Sequence, residues 1–242
     1  MNIALIGYGK MGQMIEEIAV ERGHNIVLKI NIENTGDFIK DRASAADVAI
    51  EFTGPDSAFN NIKKCIDFNI PVISGSTGWN DSLDEIKNYC LQKEGAFLHA
   101  SNFSVGVNIF FRLNELLAKL MNTQPEYDVS LREIHHTQKK DAPSGTAVTL
   151  AEGVLKNLSR KKSWVNKGAG KPEELSIISE RIDPAPGTHY VKYSSGVDDI
   201  EIIHTAHNRK GFALGAVLAA EFIAGKKGVF TMNDVLNISS NL

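Results

Sequence analysis

Apolar residues fall along this chain in two rhythms, and the change comes near its middle. Before about Gly106, short continuous apolar runs alternate with helical spacing. Ile3 to Ile6 is the first run. Met11, Met14, Ile15, Ile18 and Ala19 then recur on one helical face until Gly23 stops them. Asn25 to Asn31 follows, with Ile26, Val27, Leu28 and Ile30, and Asp47 to Phe52 is the third run. The turn Thr53-Gly54-Pro55 leads to a helix carrying Phe59, Ile62, Cys65 and Ile66. Pro71 to Ser74, a helix over Leu83 to Leu91, and Ala96 to Leu98 continue the alternation. Runs apolar throughout suit strands buried on both faces. Their alternation with helices predicts a parallel sheet with right-handed crossovers.

The second rhythm begins after an apolar helix, Val107 to Met121, expected to link two domains. From Tyr127 the strands come without regular crossover helices: Tyr127–Ile134, Leu175–Ile182, His189–Ser194 and Ile200–Thr205. Tyr127, Val129 and Leu131 alternate with polar residues, as in a half-buried strand. One helix, with Ala147, Val148, Ala151, Val154, Leu155 and Leu158, is expected on a face of this sheet. Lys161 to Pro172, rich in Lys and Gly, reads as a solvated, mobile loop. Phe212, Leu214, Val217, Leu218 and Phe222 mark a buried helix returning to the first domain, which Phe230 to Leu236 completes. The expected division is residues 1–106 with 210–242, and residues 107–209 inserted between them.

Two stretches carry chemistry beyond this pattern. At the first strand-to-helix turn stands Gly7-Tyr8-Gly9-Lys10-Met11-Gly12, with glycines at the spacing G-x-G-x-x-G. Each glycine has a mechanical purpose in a dinucleotide site: a tight turn, backbone approach to a pyrophosphate, and close helix packing. Ligands of parallel sheets lie at the carboxyl ends of the strands. Two further small, polar turns fall there: Gly75-Ser76-Thr77 and Ala100-Ser101-Asn102-Phe103. One elongated ligand crossing all three is the expectation. Such folds often place an acid at the end of the second strand to hold the adenosine ribose. Asn31 stands there instead, with Glu33 two residues on, so NADH and NADPH both remain open as the cofactor.

The other stretch runs from Glu133 to Ala147. It brings His135, His136, Lys139 and Lys140 to the start of a helix for which Ser144 is a good N-cap. A helix start offers free N–H groups and a positive dipole end, and Gly145 lets an anion come close. Proton donors beside an anion site make a place to bind a carboxylate and protonate something next to it. His204, His207 and Arg209 form a second polar group. The His-x-x-His spacing hints at metal, but no acid or Cys completes a set, and spacing of three on a strand sends side chains to opposite faces. No metal is expected.

The block His135-His136-x-x-Lys139-x-Asp141-Ala142-Pro143-Ser144-Gly145-Thr146-Ala147 resembles the signature of the dihydrodipicolinate reductases, and the resemblance extends over essentially the whole chain. It implies an α/β fold: a Rossmann-type parallel-sheet domain with an inserted α+β substrate and oligomerisation domain carrying a mixed, mostly antiparallel sheet. It implies hydride transfer from NADH or NADPH to a small dicarboxylate, in lysine and diaminopimelate biosynthesis. His135 would donate and accept a proton, and Lys139 would donate one. His136, Ser144, Gly145 and Thr146 would hold the substrate. The three turns would hold the cofactor pyrophosphate, the nicotinamide ribose and the nicotinamide ring. A homotetramer is implied too.

Composition narrows this further. The chain has 242 residues, 43% of them hydrophobic, with 26 basic and 29 acidic side chains and a net charge of −3. That balance gives no support to a nucleic-acid or membrane-surface partner. Cys65 and Cys90 each stand alone, which suits a reducing cytoplasm. No apolar run approaches membrane-spanning length, and the N-terminus carries no basic-then-apolar leader. Two rival readings stay in view: an amino-acid dehydrogenase of the same architecture, and a non-enzymatic dinucleotide sensor. The first gives no reason for the Lys139-to-Thr146 block, and intact His135 and Lys139 argue against the second.

Overall fold

Strand β1 (Asn2–Ile6) sends Ile3 and Leu5 into one core and Ala4 and Ile6 into another, and all four are buried. A strand apolar on both faces must be covered on both, and helices do that here. In the computed structural model, which describes residues 1–238, the first sheet contains β1, β2 (Asn25–Ile30), β3 (Val48–Glu51), β4 (Val72–Ser74), β5 (Ala96–His99) and β11 (Gly228–Phe230). Its order is β11-β5-β4-β3-β1-β2, with every pairing parallel. Helices α1 (Lys10–Glu21), α7 (Lys210–Ile223) and α8 (Met232–Val235) cover one face. Helices α2 (Lys40–Ala43), α3 (Pro55–Asp67) and α4 (Leu83–Gln92) cover the other. The expected parallel sheet is present. The stretch before the last helix adds an edge strand, β11, that the apolar pattern did not mark out.

The chain divides into two compact units. One is Met1–Val105 with the segment from Lys210 onward; the other is Gly106–Arg209. The last four residues of the expected 210–242 segment lie outside the described residues.

The second unit holds α5 (Val105–Met121), which starts at the boundary, and α6 (Gly145–Asn157). Its sheet contains β6 (Asp128–His135), β7 (Ser163–Val165), β8 (Glu174–Arg181), β9 (Gly187–Ser194) and β10 (Asp199–Ala206), in the order β10-β9-β6-β8-β7. The sheet is mixed. β6 and β10 run antiparallel to β9 in the two longer ladders, while β6–β8 and β8–β7 are parallel. Val129, Leu131, Leu175, Ile177, Val191 and Tyr193 face one way and are buried against both helices.

Two expectations need correction. Val107–Met121 is not merely a linker: Phe110, Ala118 and Met121 belong to the second core, so α5 and α6 together cover the sheet that one helix was expected to cover. Nor is 161–172 simply solvated. β7 lies inside it, and Lys161 is buried, with Nζ 2.8 Å from Pro172 O, 2.9 Å from Glu174 O and 2.6 Å from an Asp128 carboxylate oxygen. A lysine with three oxygen partners can be buried; composition alone cannot show that the partners exist.

Candidate active site

The glycine turn after β1 divides its work among its three glycines. Gly7 has φ +102°, and a Cβ there would stand 2.0 Å from Phe52 O; a Cβ on Gly12 would stand 2.5 Å from Gly7 O. These two are demanded by the fold. Gly9 is different: a Cβ there would meet nothing within 4 Å. Its bare backbone faces open space at the start of α1, where no side chain caps the helix and no acid stands in the first turn. By contrast, α3 and α4 carry Asp56, Asp84 and Glu85 in theirs. An uncapped, acid-free helix start beside exposed Lys10 suits an anion.

This turn forms one wall of a cleft of about 350 Å³, lined by Gly7, Gly9, Lys10, Met11, Phe52, Thr53, Gly54, Pro55, Gly75, Ser76 and Thr77. Two of the three expected turns therefore meet. Tyr8, Gly12, Asn31 and Ala100 to Phe103 are not on its lining. Phe103 is buried among the first unit's core residues, its ring 5.7 Å from that of Phe52, so its side chain is a packing group and only its backbone is left for a ligand. Asn102 Oδ1 accepts from Ser104 N at 2.9 Å.

The stretch 53–55 was read only as a turn. Beneath it lies Glu51, fully buried at the end of β3. Its carboxylate accepts from Thr53 N at 2.9 Å, Ser76 Oγ at 2.8 Å, Ser74 Oγ at 2.5 Å and the Thr53 hydroxyl. Ser76 Oγ also accepts from Thr53 N at 2.8 Å. One acid thus ties the 53–54 turn to the 75–77 turn.

At the end of β2, Asn31 Oδ1 accepts from Glu33 N at 2.8 Å and Asn34 N at 3.2 Å, and Glu33 is exposed. Lys29, a potential phosphate partner, is held by Glu16 at 2.6 Å and lies over the Tyr8 ring. The Tyr8 hydroxyl also donates to Glu16.

The second site lies wholly in the second unit. β6 carries buried Val129, Leu131, Glu133 and His135 on one face. After the strand, the loop turns back so that Ser144 caps α6: its Oγ accepts from Ala147 N at 3.2 Å. Gly145, where a Cβ would meet nothing within 4 Å, opens the helix, again with no acid in the first turn. Lys139 Nζ is 2.8 and 2.9 Å from the two Asp141 oxygens, and this bond holds the Asp141 carboxyl below its usual range. Half-buried His136 and Thr146, Lys139, Ser144 and Gly145 all fall within this one turn-back, and exposed Lys140 does too.

His135 is less simple than a surface proton donor. It is buried, and burial pulls its pKa down to about 4, against the upward pull of Glu133. The ring is neutral at neutral pH. Around it stand residues that the sequence did not mark. Glu133, fully buried, accepts from Ser144 N at 3.1 and 3.2 Å. It lies 3.5 Å from His135 Nδ1 and 3.6 Å from His189 Nε2. Burial alone would raise its pKa, but hydrogen bonds from His189 and Ser144 outweigh that and hold it well below the carboxylate range. Arg181 Nη2 is 3.4 Å from Glu133, and Arg181 also donates to Lys139 O at 3.3 Å and Asp141 O at 2.6 Å.

Glu133, His135 and His189 place donor atoms within 4.8 Å of one another, the one such group with metal-ligand chemistry among the described residues. The Glu133 carboxylate in this group is already partnered, by Ser144 N at 3.1 Å and by the Arg181 guanidinium at 3.4 Å. His204 stacks on Phe110 at 5.8 Å, whereas His207 and Arg209 are exposed beyond the end of β10; they form no group with His204.

Known proteins share this design. The sequence model for the N-terminus of dihydrodipicolinate reductase matches residues 1–103, and that for its C-terminus matches residues 106–236. A 4-hydroxy-tetrahydrodipicolinate reductase of Christiangramia forsetii is 50% identical over 241 residues, 98% of each chain. One from Neisseria meningitidis serogroup B is 32% identical over 93% of this chain and 85% of its own. The dipicolinate-bound dihydrodipicolinate reductase of Paenisporosarcina sp. TG-14 superposes with a TM-score of 0.82 over 99% of both chains at 21% identity.

Proposed function

The chain belongs to the dihydrodipicolinate reductase family, and from that premise we propose how its residues reduce 4-hydroxy-tetrahydrodipicolinate. It is an oxidoreductase of lysine and diaminopimelate biosynthesis: the 4-hydroxyl leaves as water, and one hydride and one proton added to the resulting dihydrodipicolinate give tetrahydrodipicolinate. A reduced nicotinamide dinucleotide supplies the hydride when bound. The first unit fits such a group: Gly9 leaves open space where a pyrophosphate would approach, and the acid-free α1 start and Lys10 face the same cleft. The 75–77 turn would take the nicotinamide ribose. The 100–103 turn would take the ring through its backbone.

The observation that carries the assignment is the 135–147 loop. It joins a buried neutral imidazole, a lysine, and a helix start with an open glycine. The α6 N–H groups, Thr146 and His136 bind a carboxylate of the substrate, a ring dicarboxylate like the dipicolinate of the Paenisporosarcina protein. Hydride addition builds negative charge on the ring. The Lys139 ammonium group gives the proton there, and neutral His135 accepts and donates a proton in relay.

Cofactor choice follows from β2. Asn31 brings no charge to the adenosine ribose, and Lys29 is neutralised by Glu16. Lys10 leans weakly to the 2′-phosphate. The difference is about 1 kcal/mol, under ten-fold, so both cofactors serve, with a slight lean to NADPH. Among the described residues no helix is long and apolar enough to cross a membrane, and two free buried cysteines suit the cytoplasm. The second sheet's other face bears Ile178, Ile203 and Tyr190 beside the Arg132–Glu180 pair. A tetramer would cover that face, and light scattering tests it: a monomer at micromolar concentration contradicts it.

The direct test of function is cofactor oxidation with enzymatically generated substrate. Turnover with NADH and NADPH within ten-fold of each other is expected. No turnover overturns the assignment, and a hundred-fold preference places cofactor choice on another residue.

A further inference from the structure

A fully buried carboxylate is costly unless something in the structure requires its charge. Glu133 is such a group, at 0% exposure. Its bonds to Ser144 N do not need the charge, since an amide oxygen would accept the same N–H. What an amide would not do is attract protons on the two imidazoles beside it. Those rings belong to His135 and His189, packed edge to face with centroids 5.0 Å apart.

The two nitrogens of His135 have different surroundings. Nδ1 is buried, makes no hydrogen bond and has Glu133 Oε2 at 3.5 Å. Nε2 lies against the backbone of Gly187, where a Cβ would come within 3.0 Å of it. Gly187 is bare and held at φ +156°, so that side of the ring has space that any larger residue would fill. A carboxylate on one side of an imidazole fixes the tautomer by holding the proton that faces it, which sets the chemistry of the far nitrogen.

We propose that Glu133 is a positioning residue for the reaction: it holds the His135 proton on Nδ1, leaving Nε2 for the substrate, and anchors the first turn of α6. One buried acid thereby sets the proton-handling group and the anion cradle in a common frame. His189 and Arg181 complete the frame, since His189 Nε2 lies 3.2 Å from Ser144 Oγ and Arg181 spans Glu133 and the carbonyls of the Lys139–Asp141 turn. The proposal rests on the reading that His135 handles the proton.

The test uses full-length protein labelled with ¹⁵N-histidine. In the wild type, long-range ¹H–¹⁵N spectra at neutral pH are expected to show His135 as the Nδ1–H tautomer; the Nε2–H tautomer would overturn the proposal. In Glu133→Gln the Ser144 bond survives and the charge is gone. The His135 tautomer is expected to become mixed, and kcat to fall about 10–100-fold with KM changed much less. The acid limb of kcat against pH is expected to move lower, because Glu133 opposes burial and the downward pull of His189, Lys139 and Arg181 on that ring. Wild-type kcat and an unmoved acid limb in Glu133→Gln would overturn the proposal. If that variant does not fold, the wild-type tautomer still decides. His135→Gln separates the two readings: full activity there removes the proton-handling reading itself, whereas inactive His135→Gln with unaltered Glu133→Gln removes only the part assigned to Glu133.

Discussion

The two helix starts, at α1 and at α6, both have an open glycine and no acid in the first turn, and they are otherwise built in opposite ways. The α1 start has neither a side-chain cap nor a first-turn acid, and its key residue, Gly9, contributes only backbone. The α6 start is capped by Ser144 and backed by a buried carboxylate, two imidazoles and a guanidinium. The difference follows the chemistry. A cofactor that must bind, react and leave unchanged in charge pattern along its pyrophosphate needs geometry and a dipole. A site that moves a proton needs titratable groups whose charges are fixed by their neighbours.

Substitution of glycines gives the largest contrast. Gly7→Ala forces a Cβ to 2.0 Å from Phe52 O at φ +102° and should destabilise the fold by about 3 kcal/mol or more. Gly9→Ala should leave the thermal midpoint nearly unmoved and weaken dinucleotide binding at least about ten-fold, because the added methyl stands where the backbone meets the ligand. Equal stability losses in both variants would make Gly9 a structural residue.

Acid should strike the α6 side harder. Burial lowers the pKa of His135 in the folded protein to about 4 from its ordinary 6.5, and Glu133 is held low. Both groups bind more protons when unfolded, so their stabilisation is present at neutral pH. The His135 share is lost as pH falls from about 6.5 to about 4, and the Glu133 share below that. For His135 the loss is at most about 3 kcal/mol. Burial also lowers the pKa of His99 and His204, so His135→Gln should flatten the stability profile only in part. An unchanged profile would mean that folding does not shift the His135 pKa.

The same contrast explains what could be read without coordinates. Gly7 and Gly12 announce themselves because only glycine fits there, and the strand-to-helix placement gives them meaning. Continuous apolar runs gave the parallel sheet, and alternation gave β6. Glu51 and Glu133 were missed because an acid in a sequence reads as surface. A signal did exist for Glu133: it shares parity with Val129, Leu131 and His135, all buried. His189 shares parity with Val191 and Tyr193 in the same way. Arg181 and the covering role of α5 depend on which strands pair, which no local pattern states. Lys161 misled for the converse reason, since its oxygen partners come from other strands and loops.

Smaller effects sharpen the comparison. Thr146→Val keeps α6 and removes a hydroxyl beside the carboxylate. A charge-assisted bond is worth roughly 1.5–3 kcal/mol, so substrate KM should rise about ten-fold or more; a change in thermal stability alone would return Thr146 to a packing role. Asn31→Asp keeps an oxygen for the Glu33 and Asn34 N–H groups and adds a charge at the ribose. Preference should shift towards NADH by about 1 kcal/mol, read as kcat/KM for both cofactors. No shift would place the ribose elsewhere.

The central claim is that the first unit binds the cofactor while the 135–147 loop moves the proton. It is tested most directly by measuring cofactor affinity and kcat together in wild type, His135→Gln and Lys139→Ala. The account predicts cofactor dissociation constants within about two-fold of wild type and kcat lower by about 10²–10⁴-fold. Wild-type turnover in both variants would contradict it.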